Sequence, residues 1–130
     1  MDGLTLDALL QVAVRVVGPD VVVRDPGLLV GALARVDAVA DGVEVYPTPA
    51  EKGAALLHSL AAGAPLAGGN RPFALAACLA LMGLLDEPAG IGPEAAVDLV
   101  TAIVTGRVDD VADIAAALRG TRQVDDRHRR

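Results

Sequence analysis

The run from Phe73 to Leu85 constrains this chain more than any other feature. Its thirteen residues carry no charge and, apart from the Cys78 thiol, no polar side chain. A membrane-spanning helix needs about 20 apolar residues, so the run is too short to cross a bilayer. A stretch that is apolar on every side and too short for a membrane reads as a helix buried inside a domain. The segments around it are amphipathic at helical spacing. The expected fold is therefore all-α: a compact domain of about six helices around a buried central helix. Phe73–Leu84 is expected to be that central, most buried helix.

Composition sets the character of the core and excludes some functions. Hydrophobic residues are 53% of the chain, yet aromatics are only 2%. The core must then be built from small aliphatic side chains on closely spaced helices. A length of 130 residues suits one domain. The formal net charge of −6 argues against a nucleic-acid partner and against attraction to anionic membranes. One cysteine cannot form an internal disulfide, which points to a cytoplasmic protein. Inside an apolar helix Cys78 reads as a small buried hydrophobe. The first residues include Asp2 and Asp7 and no basic region, so no signal peptide is expected.

Taken in order, Leu6, Leu9, Leu10, Ala13, Val14 and Val17 share a helical spacing, with Thr5 as N-cap and Gly18 as stop. Val21–Val23 reads as an extended connector with no obvious partner. Asp25 caps the next helix, Pro26 takes its first position, and Leu28, Leu29, Ala32 and Leu33 form the inner face. Asp41-Gly42 is a turn signal, and Val43 to Tyr46 alternates like a short hairpin arm; a solvated loop is the other reading. Thr48-Pro49-Ala50-Glu51 is a capping box, in which the Glu51 carboxylate is expected to return to the Thr48 N–H. The helix after it runs to about Ala62. Gly92-Pro93-Glu94 opens another, to about Thr105, and Asp109 is expected to cap the last. Residues 1–119 thus form the domain. Residues 120–130 carry Arg127, His128, Arg129 and Arg130 with almost nothing to bury, and read as a disordered charged tail.

The stretch Gly63-Ala64-Pro65-Leu66-Ala67-Gly68-Gly69-Asn70-Arg71-Pro72-Phe73-Ala74 leads into the central helix. Gly68 and Gly69 allow positive φ or close approach of a ligand. Pro72 suits the first helical position. A helix start preceded by glycines presents N–H groups and a partial positive charge, to which Arg71 adds a full one. Gly68, Gly69, Asn70 and Arg71 are therefore candidate nucleotide- or anion-binding residues. An ordinary helix–loop–helix turn is the alternative.

These residues resemble the signature loop of the Fic/Doc (Fido) superfamily, most closely the Doc or death-on-curing type. That family carries His-Pro-Phe-x-Asp/Glu-Gly-Asn-x-Arg before an apolar helix. Here Pro65, Gly69, Asn70 and the basic Arg71 match, while Ala64, Gly68 and Pro72 replace the His, the acid and the final Arg. Arg24-Asp25-Pro26-Gly27-Leu28-Leu29, with Ala32-Leu33-Ala34-Arg35, resembles the Doc-type Arg-Asp-x-Gly-Leu-Leu helix. Glu51 to Leu60 resembles the helix leading into the signature. The hairpin near Val43 corresponds to a reduced form of the flap that aligns a target's backbone in Fic proteins.

The resemblance implies a chemistry. The family His is a general base toward a target hydroxyl, the acid holds a magnesium ion, and the loop amides and basic residues hold nucleotide phosphates. Fic enzymes mostly transfer AMP; the Doc type transfers a terminal phosphate to a translation elongation factor and pairs with a small antitoxin. ATP and magnesium are thus the implied cofactors, although Gly68 leaves the magnesium ligand missing. His58 lies six positions before the place of the base and reads as a structural residue at a helix edge. Asp86 and Glu87 follow the buried helix at its far end. Three functions stay open. One is a degenerate Doc-like protein that lacks or nearly lacks transfer and keeps a binding role. Another is an active toxin using His58 or a partner's side chain, and the third is a helical protein-interaction domain. The implied partners are an antitoxin-like protein, a translation-factor target and a weakly held nucleotide or phosphate.

Overall fold

In the computed structural model, residues 3–120 are described, and the expected tail beyond Gly120 lies outside them. Among these residues six helices form: α1 (Leu6–Val17), α2 (Pro26–Val36), α3 (Pro49–Gly63), α4 (Asn70–Leu84), α5 (Pro93–Val104) and α6 (Val111–Arg119). A two-residue hairpin, β1 (Val39–Ala40) and β2 (Val43–Glu44), joins α2 to α3. Asp41 and Gly42 turn it with φ of 53° and 78°, the positive pair that a right-twisted hairpin requires. The expected all-α fold is what forms.

The centre of the domain differs from expectation in one respect. α4 is buried through Phe73, Ala74, Ala77, Cys78, Leu81 and Met82, but Leu79 and Leu84 are exposed. α3 packs against α2, α4, α5 and α6 and buries more of its length than α4 does. Its buried face is mostly small: Ala50, Gly53, Ala54, Ala55 and Ala61. Small side chains let helices approach from several directions, so α3 takes the middle and α4 becomes the other half of a central pair. Gly53 marks the closest approach: a Cβ there would stand 2.7 Å from Met82 Cγ.

Helix boundaries follow local chemistry. Thr5 accepts from the Ala8 N–H at 3.1 Å and Asp25 from the Leu28 N–H at 3.3 Å. Thr48 accepts from the Glu51 N–H at 3.2 Å, but the Glu51 carboxylate accepts from the Thr48 hydroxyl at 2.7 Å and not from its N–H. Arg119 of α6 also donates to Thr48 Oγ1 at 3.1 Å, so the α3 cap doubles as a tertiary contact. Two positions are shifted from expectation. Asn70 is the first residue of α4 and Gly69 its N-cap, so Pro72 sits third, where its missing N–H still costs no helical bond. Asp110, not Asp109, caps α6: its carbonyl accepts from the Ile114 N–H at 3.0 Å, the first helical bond. That one-residue shift releases the Asp109 side chain for another partner.

Candidate functional site

The loop between α3 and α4 is held from several sides. α3 ends on Ala64 in the left-handed conformation, with φ of 50° and its N–H donating to the Leu60 carbonyl at 3.1 Å. Arg24 donates to the carbonyl of Ala64 and, at 3.4 Å, to that of Gly63, covering orphan acceptors at the helix end. Val23, expected to be an unpartnered connector, forms an antiparallel bridge with Leu66. Beside it the Ala67 N–H donates to Val22 at 2.9 Å and the Arg24 N–H to Pro65 at 2.8 Å. A run of valines finds its strand partner in the loop itself, where Pro65 exposes only acceptors.

The four candidate residues have different tasks. Asn70 Oδ1 accepts from the Leu66 N–H at 2.9 Å, and its Nδ2 donates to the Leu66 carbonyl at 2.9 Å. Its side chain therefore closes the loop as a paired peptide unit would. Gly69 has φ of 78°, and a Cβ there would stand 2.7 Å from Val17 Cγ2. Both the turn and the packing of α1 demand glycine. Gly68 is exposed, with nothing within 4 Å of where a Cβ would be. Arg71 is exposed and finds no hydrogen-bond or ion-pair partner among the described residues.

A cleft of about 420 Å³ brings most of them together. It is lined by Ala61, Ala64, Gly69, Asn70, Arg71, Pro72 and Val104. A smaller apolar hollow of about 220 Å³, also reached by Arg71 and Pro72, continues along Leu75, Val97 and Val100. Gly68 lines neither. The electrostatics of the cleft reduce to one guanidinium beside the start of a helix, with no carboxylate in its lining. Among the described residues no group of three or more His, Cys, Asp or Glu could hold a metal.

Ionisable groups converge elsewhere. His58 of α3 has both ring nitrogens engaged: Nδ1 with Arg35 Nη1 at 2.8 Å and Nε2 with Asp109 Oδ1 at 2.7 Å. A guanidinium only donates, so Nδ1 accepts and Nε2 carries the proton given to Asp109. Arg35 also donates from Nε to the Tyr46 hydroxyl at 3.1 Å and from Nη1 to Ser59 Oγ at 3.0 Å. Burial pushes the Cys78 thiol up to about 12, so it stays protonated and inert.

A search of curated proteins finds the Toxin Doc of Mycolicibacterium smegmatis (strain ATCC 700084 / mc(2)155), 39% identical over 105 residues that cover 79% of this chain and 80% of that protein. The chain belongs to the Doc family. No protein-family model and no solved structure matches it. Within this Doc fold the sequence motif, in the loop that follows α3, and the polar cluster around His58 of α3 are separate places. Ala64 is six residues beyond His58, about 9 Å along the axis. The sequence placed the loop, because glycines, Asn70 and Pro72 punctuate it locally. It missed the cluster, because Arg35, Tyr46, His58, Ser59 and Asp109 come from four segments far apart in the chain. The one local hint was Asp109-Asp110, two adjacent caps where a helix start uses only one.

Proposed function

We propose that this chain is a Doc-type protein of a toxin–antitoxin system that acts in the cytoplasm, keeps a binding role, and carries out negligible transfer of phosphate or AMP to a protein hydroxyl. The observation that carries this reading is the lining of the cleft: one free cation, Arg71, with alanine, glycine and proline around it and no base or carboxylate. Ala64, Gly68 and Pro72 stand where the family resemblance puts the base, the acid and the final Arg. Losing a general base alone typically costs about 10²–10⁴-fold. The magnesium ion implied by the resemblance does not fit this donor set, since no carboxylate faces the cleft.

What remains at the loop is weak anion recognition by Gly69, Asn70 and Arg71, which line the cleft, with Gly68, outside its lining, offering no more than its backbone N–H. The Asn70 side chain is engaged with Leu66, so its contribution is the backbone N–H. A phosphate or nucleotide phosphate is the expected ligand, with affinity on the order of millimolar. An antitoxin-like protein and a translation factor are the partners this reading expects.

The test is labelled ATP with magnesium and a translation-factor substrate, beside phosphate binding by wild type and Arg71→Ala. Expected are background transfer and a binding signal that weakens with salt and falls in Arg71→Ala. Robust transfer by the wild-type chain would overturn the claim of lost chemistry, and its response to His58→Ala would show whether His58 takes part. Phosphate binding unchanged by Arg71→Ala would remove the binding claim.

A further inference from the structure

Arg35 is a half-buried cation whose acceptors are all neutral: the Tyr46 hydroxyl, the Ser59 hydroxyl and the His58 ring. Among the described residues no carboxylate lies within ion-pair distance of it. Asp109 reaches it only through the imidazole, and that carboxylate is 82% exposed, where water screens its charge. The guanidinium has five N–H donors, and those on Nη2 meet no acceptor among the described residues. A partly buried guanidinium without a counter-charge attracts an anion more strongly than a solvated one does.

The space for such an anion exists. A cleft of about 280 Å³ between α2 and α3 is lined by Gly27, Gly31, Ala32, Arg35, His58 and Ser59, among others. Gly31 stands one helical turn before Arg35, and a Cβ there would meet nothing within 4 Å. Ser59 accepts from Arg35 through its oxygen and keeps its own proton to donate. The His58–Asp109 bond fixes the ring and leaves Nδ1 to orient the guanidinium.

We propose that this cleft is a binding site for a small oxyanion, a carboxylate or phosphate group received by Arg35 and the Ser59 hydroxyl. It is independent of the loop at the start of α4. The anion supplies the charge that the protein itself does not place beside Arg35. The volume suits an anionic group with at most a short apolar extension over Leu28 and Ala62, which also line the cleft.

The experiment is NMR titration of the full chain at fixed pH with inorganic phosphate and, separately, acetate, following the His58 ring C–H signals. A saturable shift with at least one of them is expected, and which one binds assigns the ligand as phosphate or carboxylate. Arg35→Gln should weaken that binding about tenfold or more. Gly31→Leu fills the cleft without removing Arg35, His58 or Ser59 and should abolish the shift, which keeps the proposal testable if Arg35→Gln does not fold. Arg71→Ala should leave the His58 response unchanged, which separates this site from the α4 loop. No saturable shift with either anion up to roughly 50 mM, or full binding by Gly31→Leu, would overturn it.

Discussion

Gly69→Ala removes the loop's positive-φ glycine, and its cost has two separable sources. The backbone sits at φ of 78° and ψ of 18°, a left-handed conformation that costs an alanine about 1–2 kcal/mol. The new Cβ would also lie 2.7 Å and 2.9 Å from the two γ-methyl groups of Val17. Overpacking costs about 1–3 kcal/mol in a closed core. Val17 is the last residue of α1 and 36% exposed, so it can give way and the low end applies. The sum is about 2–3 kcal/mol, a large share of a small domain's stability of about 5–15 kcal/mol. Val17→Ala alone should cost only about 0.5–1 kcal/mol at such a site. In the Gly69→Ala background the same substitution removes the clash and should be neutral or stabilising, a coupling of about 1–2 kcal/mol. Urea unfolding followed by far-UV circular dichroism measures all four proteins, with unchanged slopes required for comparison. A Gly69→Ala protein within about 0.5 kcal/mol of wild type would refute the strain argument. Equal losses from Val17→Ala in both backgrounds would refute the packing argument.

Thr48→Ala should cost about 1–2 kcal/mol in urea unfolding, because it removes the α3 cap and the acceptor of Arg119 together. The Arg119→Ala/Thr48→Ala cycle should show the two losses to be non-additive. Cys78 gives a pH dependence with a definite sign. Its thiol is raised from 9.0 to about 12 in the folded protein, so both states are protonated below pH 9 and only the unfolded chain ionises between those values. Stability is retained below about 9 and falls above it by about 1.4 kcal/mol per pH unit until about 12. Unfolding at pH 8 and pH 10 should show this extra slope in wild type and not in Cys78→Ala. Native Cys78 should be inert to thiol reagents at pH 8, and stoichiometric reaction without denaturant would contradict its burial.

Much of the architecture was legible because it rests on local signals. Thr5, Asp25 and Thr48 announce their helices by side-chain capping, and Asp41-Gly42 announces the hairpin by backbone preference. Those signals lie within a few residues of what they determine. The misplacements share a different cause. Val21–Val23 shows no partner in sequence, because its partner is Leu66, a loop residue some forty positions away. The apolar run of α4 marks it as buried, yet centrality belongs to α3. Hydrophobicity per residue does not reveal that alanine and glycine let four helices meet one. The assignment of the α6 cap to Asp109 fails for a similar reason. Either aspartate can cap, and His58 on a distant helix decides between them by taking one.

Three of the four loop residues that match the family pattern have structural tasks of their own. Gly69 turns the chain and makes room for Val17. Asn70 pairs with both polar groups of Leu66, and the Pro65 carbonyl accepts from Arg24 and Asp25. Each of these three matched residues has a structural task that is complete without any ligand. None of their contacts involves Ala64, Gly68 or Pro72 as a side chain. The hydrogen bonds that shape the loop therefore place no demand on the side chains at those three positions. Arg71 alone among the matched residues has no partner in the described structure and still faces the cleft. Its exposure leaves the guanidinium open to a ligand, and it is the residue on which the binding reading stands or falls.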